Sequence, residues 1–135
     1  LQESEAWEDA QLAREAQDAT PLAASRDPAW APAGARLAVS FLDQIWTMAP
    51  DGSTPRAFVA WPRGTPTAIE RDPAWAPDGR RLAFAADLGT GFDLYLADEG
   101  AAPRRLTLSP GDERHPSWTP DGRLVFAQRV RDQWG

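Results

Sequence analysis

Arg26-Asp27-Pro28-Ala29-Trp30-Ala31-Pro32-Ala33-Gly34 returns as Arg71-Asp72-Pro73-Ala74-Trp75-Ala76-Pro77-Asp78-Gly79 and again as Arg114-His115-Pro116-Ser117-Trp118-Thr119-Pro120-Asp121-Gly122. The copies stand 45 and 43 residues apart, whether measured at the Trp or at the Gly. Self-similarity at a period of this size marks a chain built from repeated supersecondary units. Pro in each copy presets φ for the first corner of a turn. Asp suits the second corner, and Gly accepts the left-handed conformation that follows. Ala33 takes the Asp place in the first copy, so its turn should be weaker than those at Asp78 and Asp121.

Working outward, each unit continues in one order. An apolar run with strand character follows the Gly, at Arg36 to Phe41, Arg81 to Ala86 and Arg123 to Gln128. A second strand carries a central aromatic, at Gln44 to Met48 around Trp46 and Phe92 to Ala97 around Tyr95. After turns at Ala49 to Ser53 and Asp98 to Ala102, a last strand spans Pro55 to Ala60 and Pro103 to Leu108. Four short antiparallel strands in about 40 to 45 residues is the size of a β-propeller blade. The fold class is therefore all-β, with repeats over about 26–70, 71–113 and a truncated 114–135. Gln133-Trp134 echoes Gln44-Ile45-Trp46 where a further strand should start.

Residues 1–19 stand outside the repeat. Glu3 to Gln17 is rich in Ala, Glu and Gln without Gly or Pro, which favours a short N-terminal helical segment. The propeller part then spans 20–135, with an outer strand expected over Thr20 to Ser25.

Composition excludes several functions. With 20 Asp and Glu against 14 Arg and no Lys, the net charge is -6, which disfavours a phosphate backbone as partner. There is no Cys and one His, so the chain offers neither disulfides nor a transition-metal ligand set, and no cofactor is called for. No apolar run is long enough for a membrane span. No Gly-x-Ser-x-Gly elbow, phosphate-binding loop or dedicated calcium loop is present, and Asp87-Leu88-Gly89-Thr90-Gly91 reads as a hairpin loop. Catalysis by this chain is not expected.

The pattern Asp-x-Pro-x-Trp-x-Pro-Asp-Gly, then a strand, then a strand carrying Trp or Tyr, resembles the TolB-type propeller repeat. The resemblance covers about residues 20 to 135. It implies that Trp30, Trp75 and Trp118 lie on innermost strands and pack between neighbouring blades; Trp46 and Tyr95 take the same core reading. Trp61 precedes Pro62-Arg63-Gly64 in a loop, and its exposure is open. The chain is then an incomplete propeller of about three blades, completed by further blades of the same chain or by partner subunits.

In that frame the steps before each Pro ring the mouth of a central channel. Arg26, Asp27, Arg71, Asp72, Arg114 and His115 are the candidate binding residues. The same six can serve as salt bridges between blades, and the two roles are compatible. The loops Trp61 to Glu70, Ser109 to Glu113 and Asp87 to Gly91 should share their face. The resemblance implies a non-catalytic, extracytoplasmic scaffold of the bacterial periplasm or envelope that binds a protein or peptide. Two alternatives stand beside it. One is the accessory propeller of a larger peptidase or amidohydrolase, the latter resembled by Phe41-Leu42-Asp43-Gln44-Ile45-Trp46; the other is a structural subunit of a membrane-associated assembly.

Overall fold

The computed structural model describes residues 25–108 and 110–130. The helical segment expected over 1–19, the outer strand expected before Ser25 and the Gln133-Trp134 echo lie outside the described residues.

Among the described residues, ten strands form three antiparallel sheets. The first contains β1 (Arg26–Trp30), β2 (Leu37–Phe41), β3 (Gln44–Met48) and β4 (Arg56–Ala57) in that spatial order. The second repeats it with β5 (Ile69–Trp75), β6 (Arg81–Asp87), β7 (Phe92–Asp98) and β8 (Arg104–Arg105). The third pairs β9 (Asp112–Trp118) with β10 (Leu124–Arg129).

The turns form as their residues dictate. Gly34, Gly79 and Gly122 sit at φ of 69°, 69° and 87°. Their amides donate to the carbonyls of Ala31, Ala76 and Thr119 at 2.7, 2.8 and 3.0 Å. Asp78 adds what Ala33 cannot, because its Oδ1 accepts the Arg80 and Arg81 amides at 2.8 and 3.2 Å. The last strands are shorter than Pro55 to Ala60 and Pro103 to Leu108. Prolines cannot donate to the ladder. Past β8 the Thr107 hydroxyl, not a backbone carbonyl, accepts the Leu94 amide at 2.9 Å.

Burial follows the stacking of the sheets. β6 is buried at all five central residues, Leu82 to Ala86, as a strand covered on both faces should be. β5 packs against both β1 and β9. Between the first two sheets Phe58 meets Trp75 edge-on at 6.0 Å, and Trp61 meets Phe84 and Tyr95 edge-on at 6.2 and 5.1 Å. Trp61 is thus drawn inward, and its indole N–H donates to Glu70 Oε2 at 2.7 Å.

Among the repeated tryptophans the core expectation holds for Trp75, which is buried, and in part for Trp118, which is half-buried. Trp30 departs from it at 55% exposure. The reason lies in how these side chains reach. The Trp75 indole donates back to Ala29 O and the Trp118 indole back to Ala74 O, each at 3.0 Å. Each Trp therefore closes on the sheet before its own. Among the described residues no sheet precedes the first, so Trp30 has nothing to close on.

Candidate functional site

Each of β1, β5 and β9 carries a bulge at the same step. Asp27-Pro28 stands opposite Val39 alone, Asp72-Pro73 opposite Phe84, and His115-Pro116 opposite Phe126. Pro has no amide to lose from a ladder, which suits it to a bulge. The Pro ring disfavours right-handed helical φ/ψ for the residue before it. Asp27, Asp72 and His115 accordingly take left-handed φ of 57°, 56° and 56°, which Asp and His tolerate better than most residues.

The bulge turns one sheet toward the next. Asp27 Oδ2 accepts the Asp72 amide at 3.3 Å, and Asp72 Oδ2 accepts the His115 amide at 3.0 Å. Asp at this step is a joint between sheets as well as a surface charge. Asp72 also takes the Arg114 guanidinium in a two-pronged pair, Nε to Oδ2 at 2.6 Å and Nη2 to Oδ1 at 3.2 Å. Its side chain is 5% exposed. Burial pushes the Asp72 carboxyl up, but Arg114 and the His115 amide outweigh it and hold the group below its ordinary range. The same pairing raises Arg114.

Arg26 and Asp27 open β1, and Arg71, Asp72, Arg114 and His115 are the third and fourth residues of β5 and β9, toward the rim that bears the β2–β3 and β6–β7 hairpins. They do not form one continuous ring of available charge. Arg71 turns to Asp43 of the β2–β3 hairpin at 2.7 Å, and Arg114 is committed to Asp72. Arg26 is exposed, and His115 reaches Asp72 only at 3.5 Å with its side chain 69% exposed.

Two clefts open on this rim, one at each junction. The first, about 210 Å³, is lined by Arg26, Ser40, Leu42, Asp43 and Arg71. The second, about 320 Å³, is lined by Phe92, Asp112, Arg114, His115, Ala127, Gln128 and Arg129. Arg114 lies 4.4 Å over the Phe92 ring there, which fixes its plane as one wall. A larger cavity of about 470 Å³ opens at the opposite rim beside the Arg36–Glu99 ion pair of 2.8 Å.

Sequence reasoning missed Glu70 and Glu113. Both are buried, at 3% and 0% exposure, one residue upstream of the quoted repeat. Reading Glu-Arg-Asp-Pro and Glu-Arg-His-Pro together would have found them; the first unit has Ser25 at that place. Glu70 Oε1 accepts the Ile45 amide at 2.7 Å, so it staples β5 to β3 across the junction. Burial raises the Glu70 carboxyl despite this bond and the one from Trp61.

The three sheets with their repeated inner bulges define a propeller-type fold, and comparison with solved structures agrees. A structure described as a putative TolB from Agrobacterium tumefaciens matches 76% of this chain with a TM-score of 0.63 and 26% identity. AtxE2 isopeptidase in its apo form also matches 76% of the chain, with a TM-score of 0.55 and 20% identity. The chain spans 38% of the length of the first structure and 20% of the second. No protein-family model matches the sequence, and no curated protein matches it. The fold is TolB-like.

Proposed function

We propose that this chain is a non-catalytic propeller segment that binds a protein or peptide at the rim bearing Arg26, Asp27, Arg71, Asp72, Arg114 and His115. The observation that carries this reading is the pair of clefts on that rim, where a rigid joint presents charged side chains. Asp72, Arg114, Asp27 and Arg71 build the walls and hold the sheets in register. Arg26 in one cleft, and His115 with Arg129 in the other, are left to meet a ligand. Their charge favours peptide carboxylates, at hydrogen-bonding range to the guanidinium forks.

Further blades, of the same chain or of partner subunits, complete the propeller in this reading. The exposed Trp30 supports it, since its two counterparts each donate to a neighbouring inner strand. The TolB likeness favours an extracytoplasmic setting, in the periplasm or cell envelope. A second reading is the accessory propeller of a larger hydrolase. It is favoured by the match to a fifth of an isopeptidase chain.

An array of immobilised acidic, neutral and basic peptides, probed with the purified chain, tests the first reading. Selective capture by acidic peptides is expected, with Arg26→Glu and Arg129→Glu each weakening it about tenfold, the loss of one charge-assisted contact. Capture that ignores both reversals sinks the assignment of this rim. A full-length gene carrying a hydrolase domain favours the second reading.

A further inference from the structure

The two junctions handle their buried glutamates differently. At the first, both Glu70 oxygens are satisfied, by the Ile45 amide and by the Trp61 indole, each at 2.7 Å. At the second, the amide equivalent to that of Ile45 belongs to Leu94, and the Thr107 hydroxyl has taken it. Glu113 keeps one bond, from the Gln128 amide to Oε1 at 3.1 Å. Its Oε2 is buried without a donor, and so is Oδ1 of Asp93 on β7. The Phe92 amide donates to Asp112 Oδ1 at 2.9 Å, which brings the next residue of each strand, Asp93 of β7 and Glu113 of β9, to the same junction. Two carboxylates cannot satisfy one another, but a carboxylic acid and a carboxylate can.

We propose that Asp93 and Glu113 form one carboxyl–carboxylate pair that holds a single proton and latches β9–β10 onto the second sheet. The proton donates from one carboxyl to the other and satisfies both orphaned oxygens. Losing it leaves two buried carboxylates with one cation, Arg105, to offset them and no donor for either orphaned oxygen, and the latch opens.

The surroundings set the sign of the response. Arg105 on β8 pairs with Asp93 Oδ2 at 2.6 Å and neutralises one of the two charges. Tyr95 on β7 lies within the field of both Asp93 and Arg105. β10 contributes Gln128, and β6 carries only apolar residues from Leu82 to Ala86. On β5, Asp72 is tied to Arg114 and Glu70 to the first junction, while Asp112 of β9 accepts the Phe92 amide at 2.9 Å. Among the described residues, no third acidic or histidine side chain joins the pair to make a cation site. Burial first, then Glu113, raise the Asp93 carboxyl; Arg105 opposes them without prevailing. A raised carboxyl contributes stability that is present at acid pH and lost as pH rises through its folded value. The latch is therefore closed below the folded Asp93 value and loosens as pH rises through it.

Glu113→Gln in the 135-residue chain is the test, because the amide mimics the protonated acid and keeps an acceptor for Gln128. In the unsubstituted chain, the denaturation midpoint should fall as pH rises toward neutral. Amide exchange, corrected for its intrinsic pH dependence, should quicken most in β9–β10. Glu70 adds a slope of the same sign at the first junction, so the decisive quantity is the part that the variant removes. Glu113→Gln should restore the acid-form midpoint at neutral pH and abolish the extra exchange in β9–β10. Carboxyl carbon NMR of the unsubstituted chain should show Asp93 titrating above its ordinary range, and Glu113→Gln should lessen that displacement. The proposal is overturned if Asp93 titrates in the ordinary carboxylate range. It is also overturned if Glu113→Gln leaves the β9–β10 response to pH intact.

Discussion

Asp72 shows how much one side chain does at this rim. It adopts a left-handed backbone, accepts the next sheet's amide, and pairs with Arg114 through both oxygens. Asp72→Asn keeps the shape but removes the charge, leaving a partly buried guanidinium unpaired. We expect a loss of about 2 kcal/mol in chemical denaturation, between the values for exposed and buried pairs. The pH dependence is of opposite sign to that of Asp93. Because the folded Asp72 carboxyl is held low, its contribution is present above the ordinary Asp value of 3.8 and lost as pH falls through its folded value. An acid titration of stability should therefore flatten in Asp72→Asn at low pH. Retention of the full acid slope would show that the stabilising pair lies elsewhere.

At the scale of the element, the hairpins separate a complete turn from an incomplete one. Asp78 closes its turn with two backbone amides and an ion pair to Arg81 of 2.9 Å, whereas Ala33 leaves the equivalent amides without that acceptor. Ala33→Asp should stabilise the first sheet by about 1 kcal/mol, the net worth of such a bond. Thermal melting checks this, and an unchanged or lowered midpoint refutes it. The β2–β3 hairpin has the opposite problem. Its two loop residues, Leu42 and Asp43, both have positive φ, at 50° and 65°, a primed turn that prefers Asn or Gly. A branched apolar residue there is strained and exposed on the wall of the first cleft. These local features were legible in the sequence wherever the turn chemistry was regular. The short β4 and β8 were not, because the ladder amides beside them go to side chains, Ile45 to Glu70 and Leu94 to Thr107.

Among the described residues, the second and third sheets each close on the one before through a Trp indole. Trp75 is buried between sheets and bonded to Ala29 O, so Trp75→Ala should cost about 3–5 kcal/mol and lose cooperative unfolding. Trp30→Ala, at an equivalent sequence position, should change stability of this chain by less than about 0.5 kcal/mol. Denaturation followed by far-ultraviolet circular dichroism distinguishes them. Equal losses would mean that Trp30 is covered in solution. The sequence alone determined the all-β class, the period and the turns, because backbone propensity and repetition are local properties. It could not assign the six rim residues their work. Whether Asp72 pairs across the joint, whether Trp30 is covered, and whether Glu113 is satisfied depend on the adjoining sheet. That neighbour supplies the donor, the counter-charge or the cover, and residues of identical type in the repeat therefore end in different environments.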